Sequence, residues 1–597
     1  MRRAWGEQAI LVAQELIRVA VLWNELWFQG LEEASRRFYY EKKDIPGCVA
    51  ILNQLHNMET PETLPEKEFV AKYGAELKTA YTHLRVRPPA PAIPSAHGLP
   101  NFEQERSGPY LTQAWEIYTR VWRKLRTEIP ALAQLDLTTH SPRLAEVTNL
   151  KIAVPGTYQP DKEPICIQSF DLILPIIASK QRPRRLTING SDQHSYQYLL
   201  KGHEDIRQDE RVMQLFGLVN TLLAGAPAHN GDLFIRQYPV IPLSPNSGLI
   251  GWVQGNDTFH QLVKTYRAER KLKVDEEHRL ILRQCADENE EALNQQKAYD
   301  VLTLLQKVEI FNNALAATAG RDIYDLLWLR SQTAEVWLER RTCFTQSLAV
   351  MSMVGHILGL GDRHPSNLML DRATGKVVHI DFGDCFEVAM EREKHAEKVP
   401  FRLTRMLVNA MEISGIEGSF RLTCEKVMGI IRENKGSIMA MLEAFVYDPL
   451  INWRLLRPSA PEGPDLGQTE ENTALLDSTR QQQQQQQQQQ AAGGAASQQV
   501  VPVPNAVPVR AWQDQPDEGS SMGSDAATHS EFAGRQTMEE EVLNAKAVHV
   551  CERVRKKLAG KEFGEQLSVP DQVDRLIEEA ISHENLCQLF VGWCPFW

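Results

Sequence analysis

The sequence predicts an α+β protein in three parts. They are an N-terminal helical bundle, a two-lobed core with a small β-rich lobe and a larger helical lobe, and a short helical tail beyond a long polar linker. Three observations predict it. Apolar residues recur at helical spacing through Leu11, Leu16, Val19, Leu22, Trp23, Trp27 and Leu31. From about residue 150 the pattern turns to short β-rich runs, and from about 256 to 455 it is mostly helical again. Residues 456–540 then carry ten consecutive glutamines, at 481–490, followed by Ala/Gly, Pro/Val and Ser/Gly/Asp runs.

Taken in order, the first block is expected to be a four-helix bundle over 10–125. The Pro-rich stretch Pro88–Pro109 interrupts it as a loop, and a helix Leu111–Leu125 follows with Trp115, Tyr118 and Trp122 on one side. Strands are expected at Asp171–Ala178, Arg185–Ile188, Tyr196–Lys201, Leu233–Leu243 and Gly248–Val253, with Asn189-Gly190-Ser191-Asp192 as a hairpin turn. Asp209–Leu223 reads as an amphipathic helix. The small lobe is assigned to 145–255 and the large lobe to 256–455. The linker 456–540 has too little apolar surface to offset its ordering entropy, so disorder is expected there. Helical periodicity returns over 541–564 and in the tail 565–597.

The 597 residues are 43% apolar, enough for three or four domains. A net charge of −12 argues against nucleic acid as a partner. The nine cysteines form no C-x-x-C pair, which argues against a zinc module or a disulfide scaffold and fits a reducing compartment. No apolar run reaches the roughly 18 residues of a membrane span. The longest, Ser347–Leu360, reads as a buried helix leading into the loop that follows. The N-terminus lacks a signal-peptide pattern.

That loop carries the chemistry. Gly361-Asp362-Arg363-His364-Pro365-Ser366-Asn367 is followed by Asp381-Phe382-Gly383. Asp362 and Asn367 have the D-x-x-x-x-N spacing of a kinase catalytic loop. Between Asn367 and Asp381, Leu368–Leu370 and Val377–Ile380 read as two strands around a turn at Asp371–Gly375. The hairpin, centred on Thr374, is expected to bring Asn367 and Asp381 together as cross-strand neighbours. Two oxygen-bearing side chains at one hairpin end suit Mg²⁺, with Mn²⁺ as an alternative. Asp362 is then the expected base, and His364 the group that stabilises the transferring phosphoryl. Ordinary protein kinases read His-Arg-Asp. The reversed Asp-Arg-His resembles phosphatidylinositol-3-kinase-related and lipid kinases.

ATP needs a further set of groups. Lys201 ends a strand and is expected to hold phosphates, with Glu204 as the first choice of partnering acid and Asp209 the second. G-x-G-x-x-G is absent. The phosphate loop is expected at Ser179-Lys180-Gln181-Arg182-Pro183, with Ser179 and Gln181 lining it. Gly248–Val253 is the expected connector, with Trp252 against the adenine and the Val253 backbone bonding it. Met369 and Ile380 form the floor, and Tyr238, Ile250 and Thr258 are placed in the same pocket.

Long stretches resemble the C-terminal part of target-of-rapamycin kinases, which are phosphatidylinositol-3-kinase-related Ser/Thr kinases. The blocks are Leu31–Ser35, Lys201–Phe216, Ile241–Val253, Ser347–Asp371, His379–Met390 and Gly592–Trp597. The resemblance spares only about 88–109, 285–298 and 456–540. It implies an FKBP–rapamycin-binding (FRB) bundle at 10–125, a two-lobed PI3K/protein-kinase-like core and a FATC tail at 565–597. It also implies that residues 1–9 end a FAT-like region and that Met1 opens a fragment. The implied FRB ligand surface comprises Leu31, Ser35, Tyr39, Thr112, Trp115, Glu116, Thr119 and Trp122. It departs from the family's aromatic positions at Tyr39, Thr119 and Trp122.

By the same resemblance the partners are protein substrates, scaffold subunits, an FK506-binding protein with rapamycin, and a small β-propeller subunit. The last docks on Tyr266–Val308, where an acidic/Gln-rich insertion is expected to loop out. The tail is expected to pack on the kinase lobe, with peripheral membrane contact as the alternative. Cys587 and Cys594 are expected to be free thiols rather than a redox disulfide. The implied location is cytoplasmic, with an endomembrane-bound or nuclear pool as alternatives. The mixed charge of Glu391–Lys398 favours a protein over a phosphoinositide substrate. A lipid kinase and a catalytically inactive scaffold remain the competing readings.

Overall fold

The computed structural model describes residues 2–39, 44–58, 60–85, 102–226, 233–288, 299, 301–392, 394–411, 413–448 and 546–597. The linker expected at 456–540, the glutamine run and most of the acidic/Gln-rich insertion lie outside the described residues. Two compact units are distinguished, Met1–Ile451 with Arg553–Trp597, and Asn452–Glu552. Of the second, residues 546–552 are described, and they are helical.

The first unit opens with α1 (Arg2–Ala20), α2 (Trp23–Tyr39), α3 (Ile45–His56), α4 (Leu64–Arg85) and α5 (Phe102–Glu128). The helices α2–α5 form a four-helix bundle around Trp27, Leu31, Leu52, Tyr73, Tyr118 and Val121. The Asp44 carboxylate caps α3 by accepting the Gly47 N–H at 2.9 Å. Two expectations change here. The helix α5 begins at Phe102, so Pro109 lies in a helix rather than a loop. And α1 belongs elsewhere: Val12, Leu16, Val19 and Ala20 pack with Leu135, Leu186, Leu200 and Leu249 in the core of the β-rich lobe. The bundle therefore starts after α1, not at residue 10.

The strands are β1 (Gln134–Asp136), β2 (Ile167–Phe170), β3 (Ile173–Pro175), β4 (Arg184–Gly190), β5 (Ser195–Gly202), β6 (Val240–Ser244), β7 (Ser247–Gly251), β8 (Asn256–Thr258), β9 (Leu368–Asp371) and β10 (Val377–His379). The small lobe is an antiparallel sheet ordered β2-β4-β5-β7-β6. Its β4–β5 turn closes where the Gly190 N–H meets the His194 carbonyl at 2.8 Å. The strand expected over Leu233–Leu243 starts only at Val240. Upstream, the Asn220 side chain bonds both the N–H and the C=O of Ile235, at 2.7 and 2.8 Å. That pairing satisfies the Ile235 backbone without a ladder. β2 has no counterpart among the expected strands.

Two contacts fix the sheet against the helices before it. A Cβ at Gly202 would sit 2.0 Å from the Ala20 carbonyl oxygen, so α1 closes on β5 only over a glycine. The guanidinium of Arg184, wholly buried, donates to the Glu25 carboxylate of α2. Arg182 and His203 also face Glu25, at 3.5 and 3.7 Å. Burial alone would raise the Glu25 pKa, but His203 and Arg184 hold it below the usual range.

Two short helices, α6 (Leu137–His140) and α7 (Pro142–Glu146), follow β1, and the helix α8 (Arg207–Gly225) completes the small lobe. The large lobe contains α9 (Phe259–Glu269), α10 (Glu276–Glu288), α11 (Leu304–Ala317), α12 (Asp322–Leu329), α13 (Ala334–Leu358), α14 (Arg405–Ala410), α15 (Arg421–Glu433) and α16 (Lys435–Val446). In α13 every residue from Ser347 to Leu358 is buried, and the helix ends at Gly359 with φ +62°. A left-handed cap of this kind suits glycine and turns the chain into the 361–367 loop. A helix over 546–559, α17, leads to α18 (Val569–Ile581) and the short α19 (His583–Leu586). Among the described residues no helix is long and apolar enough to cross a membrane.

Gly202→Val is expected to destabilise the chain by about 1–3 kcal/mol through overpacking against α1, read as a lower thermal midpoint. Gly225→Ala, where an added Cβ meets nothing within 4 Å, is the control expected to leave it nearly unchanged.

Candidate active site

Arg363 organises the loop 361–367. Its buried guanidinium donates to the carbonyls of Gly361 at 2.7 Å, Ile380 at 2.9 Å and Asp381. It also lies 5.6 Å from the centre of the Phe382 ring. One side chain thus ties the loop bearing Asp362 to the hairpin end bearing Asp381. Asp362 and Asp381 both have left-handed backbones, with φ +58° and +59°.

The Asn367 amide donates to the Asp362 carbonyl at 2.9 Å and to its carboxylate at 3.3 Å. Burial pushes the Asp362 carboxyl up to about 7, with the carboxylates of Asp384 and Glu397 adding to the effect. His364 Nδ1 accepts the Ser366 N–H at 3.1 Å, which leaves the ring proton on Nε2, 4.0 Å from Asp362 Oδ2. Burial, with Arg363 and Arg402 nearby, lowers the His364 pKa to about 4, so the ring is neutral at pH 7.

The hairpin pairs β9 with β10 in the register Leu368↔His379 and Leu370↔Val377. Asn367 therefore faces Ile380, whose N–H bonds the Asn367 carbonyl at 3.1 Å. This corrects the expected Asn367–Asp381 cross-strand pair by one residue. The turn is not symmetric about Thr374: Asp371 N–H reaches the Lys376 carbonyl, and the Asp371 carboxylate takes the N–H groups of Ala373 and Thr374. The Asn367 Nδ2 is engaged with Asp362, and Oδ1 remains as an oxygen donor beside a carboxylate one residue past its cross-strand partner. Among the described residues no cluster of three or more His, Cys, Asp or Glu side chains could cage a metal. An amide oxygen and a carboxylate are donors that fit a hard cation, which takes its other oxygens from phosphate and water.

Lys201 stands on β5 opposite Gly248 of β7. Its ammonium meets Glu204 Oε2 at 2.8 Å. Burial alone would lower its pKa, but Asp381, Glu204 and Asp209 raise it, so the charge is held firmly. Asp209, in the first turn of α8, accepts the Phe382 N–H at 3.1 Å. Burial pushes its carboxyl up to about 6 against the pull of Lys201. Both expected acids thus face this lysine, Glu204 by a direct ion pair and Asp209 through the hairpin. Gln208 joins them, donating to the Phe382 and Gly383 carbonyls at 2.8 and 3.0 Å. Tyr238 is buried within the field of Asp209 and Asp381, and burial raises its pKa well above the ordinary value.

The 179–183 turn lies at the same sheet end as Lys201, because Arg184 pairs with Leu200. Its Arg182 has φ +47°, and its N–H bonds the Ser179 carbonyl at 3.2 Å. β7 carries Ile250 and ends at Gly251. The Trp252 N–H then reaches the Gln197 carbonyl at 2.9 Å, and Trp252 is 38% exposed. From Val253 the chain crosses into β8, where Thr258 pairs with Met369 and caps α9. Met369 and Ile380 are half-buried.

The tail is built into the large lobe. Arg402 donates to the carbonyls of Arg363 at 3.2 Å, Trp593 at 2.6 Å and Cys594 at 2.7 Å, and stacks on the Trp593 ring. Arg405 donates to the Phe596 carbonyl at 2.9 Å, and Trp597 Nε1 to Glu277 at 3.3 Å. Leu586, Leu589, Trp593, Phe596 and Trp597 are all buried. Cys587 and Cys594 are free thiols, and burial raises them to about 11 and 12. Arg363, Gln208 and Arg402 carry no role in the sequence reading. The only signal is their charge or polarity inside otherwise apolar or motif-rich runs.

In the bundle, Leu31 and Trp115 are core residues, 2% and 6% exposed, whereas Tyr39 is 68% exposed. Trp115 packs on Phe38 and Tyr39, and Trp122 stacks on Phe28. Ser35 and Thr119 are half-buried, and Thr112 and Glu116 exposed. Of the residues implied for the ligand surface, Leu31 and Trp115 thus lie in the bundle core rather than on its open face.

Residues 195–455 match the phosphatidylinositol 3- and 4-kinase family model, which includes the whole of the paired loop and hairpin. The FAT and kinase domain of CtTel1 has the same fold, with a TM-score of 0.53 at 22% identity over 97% of this chain and 34% of that one. Fold and site together define a phosphatidylinositol-3-kinase-like kinase domain. Residues 15–127 match the FKBP12-rapamycin binding domain and 566–597 the FATC domain. The chain is 46% identical to serine/threonine-protein kinase tor1 of Schizosaccharomyces pombe, over 99% of this chain and 23% of that protein. It is 47% identical to TOR2 of Saccharomyces cerevisiae, over 99% of this chain and 21% of that protein. Over nearly its whole length the chain is thus similar to target-of-rapamycin kinases, and it carries matches to the kinase, FKBP12-rapamycin binding and FATC family models. It spans under a quarter of the length of these relatives.

Arg402→Met removes three carbonyl partners at once. It is expected to destabilise the docked tail by about 2 kcal/mol or more. Hydrogen exchange at the amides of Gly592–Trp597 checks this, with protection there falling while that of α13 persists.

Proposed function

We propose that this chain transfers the γ-phosphate of ATP to Ser or Thr hydroxyls of protein substrates. The observation that carries the reading is the convergence of Asp362, Asn367 and Asp381, whose loop and hairpin end are tied by the buried Arg363 guanidinium, with Lys201 in the field of Asp381. The family model supports nucleotide and divalent-metal use in general. Mg²⁺ is the specific proposal, with Mn²⁺ as substitute.

In this reading the acceptor oxygen forms a bond to the γ-phosphorus as the bond to the bridging oxygen breaks, and ADP leaves. Asp362 orients the hydroxyl and takes its proton, for which a carboxyl near 7 is well matched. Neutral His364 offers an Nε2–H to charge developing on the transferring group. Lys201, held by Glu204 and Asp209, grips phosphate, and Ser179 and Gln181 line the phosphate loop. Trp252, Val253, Ile250, Tyr238, Thr258, Met369 and Ile380 enclose the base. Asn367 and Asp381 hold the metal, which when bound neutralises phosphate charge.

Protein substrates are favoured over phosphoinositides by the mixed charge around Glu391–Lys398. A β-propeller partner on the large lobe is supported by exposed Val301, Leu304 and Leu305, and the FRB match supports an FK506-binding protein with rapamycin. Scaffold subunits and a cytoplasmic location complete the proposal. Burial of the apolar tail side chains favours a docked tail over a membrane anchor.

Asp381→Ala and Asp362→Ala are each expected to lower phosphorylation of a Ser/Thr peptide by about a hundredfold or more. Asp362→Ala should leave ATP affinity within a few-fold. Retained transfer in either variant would sink the assignment. Faster phosphorylation of phosphoinositide vesicles than of peptide by one preparation would favour the lipid-kinase reading instead.

A further inference from the structure

The segment after Asp381 returns to touch the loop at one point. The Asp362 backbone N–H donates to Glu397 Oε2 at 2.9 Å. Glu397 is 6% exposed, and its own N–H is fixed on the Ala389 carbonyl at 3.0 Å. Its other oxygen takes Arg392 at 3.3 Å, and Arg392 also pairs with Asp384. Asp384 in turn accepts the Gly361 N–H through its carbonyl at 2.9 Å. Two successive loop N–H groups, those of Gly361 and Asp362, are thus held by the stretch after Asp381, the activation segment of the proposed kinase.

Asp362 needs such a hold. A non-glycine residue at φ +58° is strained, and it persists only where its surroundings over-determine it. Its side chain is set by that backbone, since rotating φ swings the carboxylate away from the acceptor hydroxyl.

We propose that Glu397 is a positioning residue: its carboxylate oxygen, by accepting the Asp362 N–H, holds the catalytic aspartate in its left-handed conformation and makes the ordered activation segment a condition for catalysis. The inference rests on the reading of Asp362 as the base. What matters is an acceptor oxygen at this place, not the negative charge. Glutamine supplies that oxygen at the same reach. Aspartate keeps the charge but is roughly 1.5 Å shorter.

The test compares Glu397→Gln, Glu397→Asp, Glu397→Ala and Asp362→Ala in the full chain, residues 1–597. Initial rates on a Ser/Thr peptide are measured with the KM for ATP and the thermal midpoint. Glu397→Gln is expected to keep kcat within about threefold, and Glu397→Asp and Glu397→Ala to lose about tenfold to a hundredfold in kcat at unchanged KM for ATP. Should Glu397→Ala fail to fold, the Gln-against-Asp order alone decides. Aspartate active and glutamine impaired would overturn the proposal in favour of a charge effect, as would equal activity in all three. Retained activity in Asp362→Ala would instead remove the base assignment, and the proposal with it.

Discussion

The site depends on one buried cation. Among the described residues Arg363 makes no ion pair with a carboxylate; it spends its donors on three backbone carbonyls, from Gly361, Ile380 and Asp381. A guanidinium suits this because its donors form a rigid planar fork. A buried charge held only by carbonyls is costly unless every donor is placed, so the loop and the hairpin end can shift only together. Arg402 extends the arrangement by gripping the Arg363 carbonyl and the tail carbonyls of Trp593 and Cys594. Two guanidiniums in series thus connect the last residues of the chain to the loop that bears Asp362.

Electrostatics divide the carboxylates by environment. Asp209 and Asp362 sit where burial favours the neutral acid, whereas Glu562, against His356 and Gln572, is held down at about 2 although burial opposes it. Lys201 faces three acids and keeps its proton. A fixed ammonium beside carboxylates of unequal acidity can receive an anionic ligand without first changing its own charge. The small lobe therefore presents a preset positive group, and the large lobe a carboxylate poised near neutrality.

The parts of this arrangement that lie close in sequence were legible there. Asp362, Asn367 and Asp381 share one short motif and its hairpin, and Lys201 ends a strand that alternation marks plainly. The hairpin register was missed by one residue because Asp371 folds its own carboxylate into the turn, which spacing alone does not reveal. The strand expected from Leu233 failed because a distant amide, Asn220, satisfies its backbone. The helix α1 reads as part of a helical run, yet its apolar stripe is claimed by a sheet some 180 residues later. Periodicity gives the face of a helix but not its partner. Glu397, Arg402 and Gln208 act through contacts between remote segments, and no local pattern marks them.

The Glu25–Arg184 pair bears on modularity. The bundle's first helix supplies the carboxylate that neutralises a wholly buried arginine of the small lobe, while α1, upstream of the bundle, fills that lobe's core. A polypeptide beginning after α5 would lack both. It would carry an unpaired interior charge and an open apolar trough along its sheet. The FRB bundle is therefore not a detachable cassette added to a finished catalytic domain. The helix α1 and the bundle's first helix, α2, are part of the small lobe's own foundation.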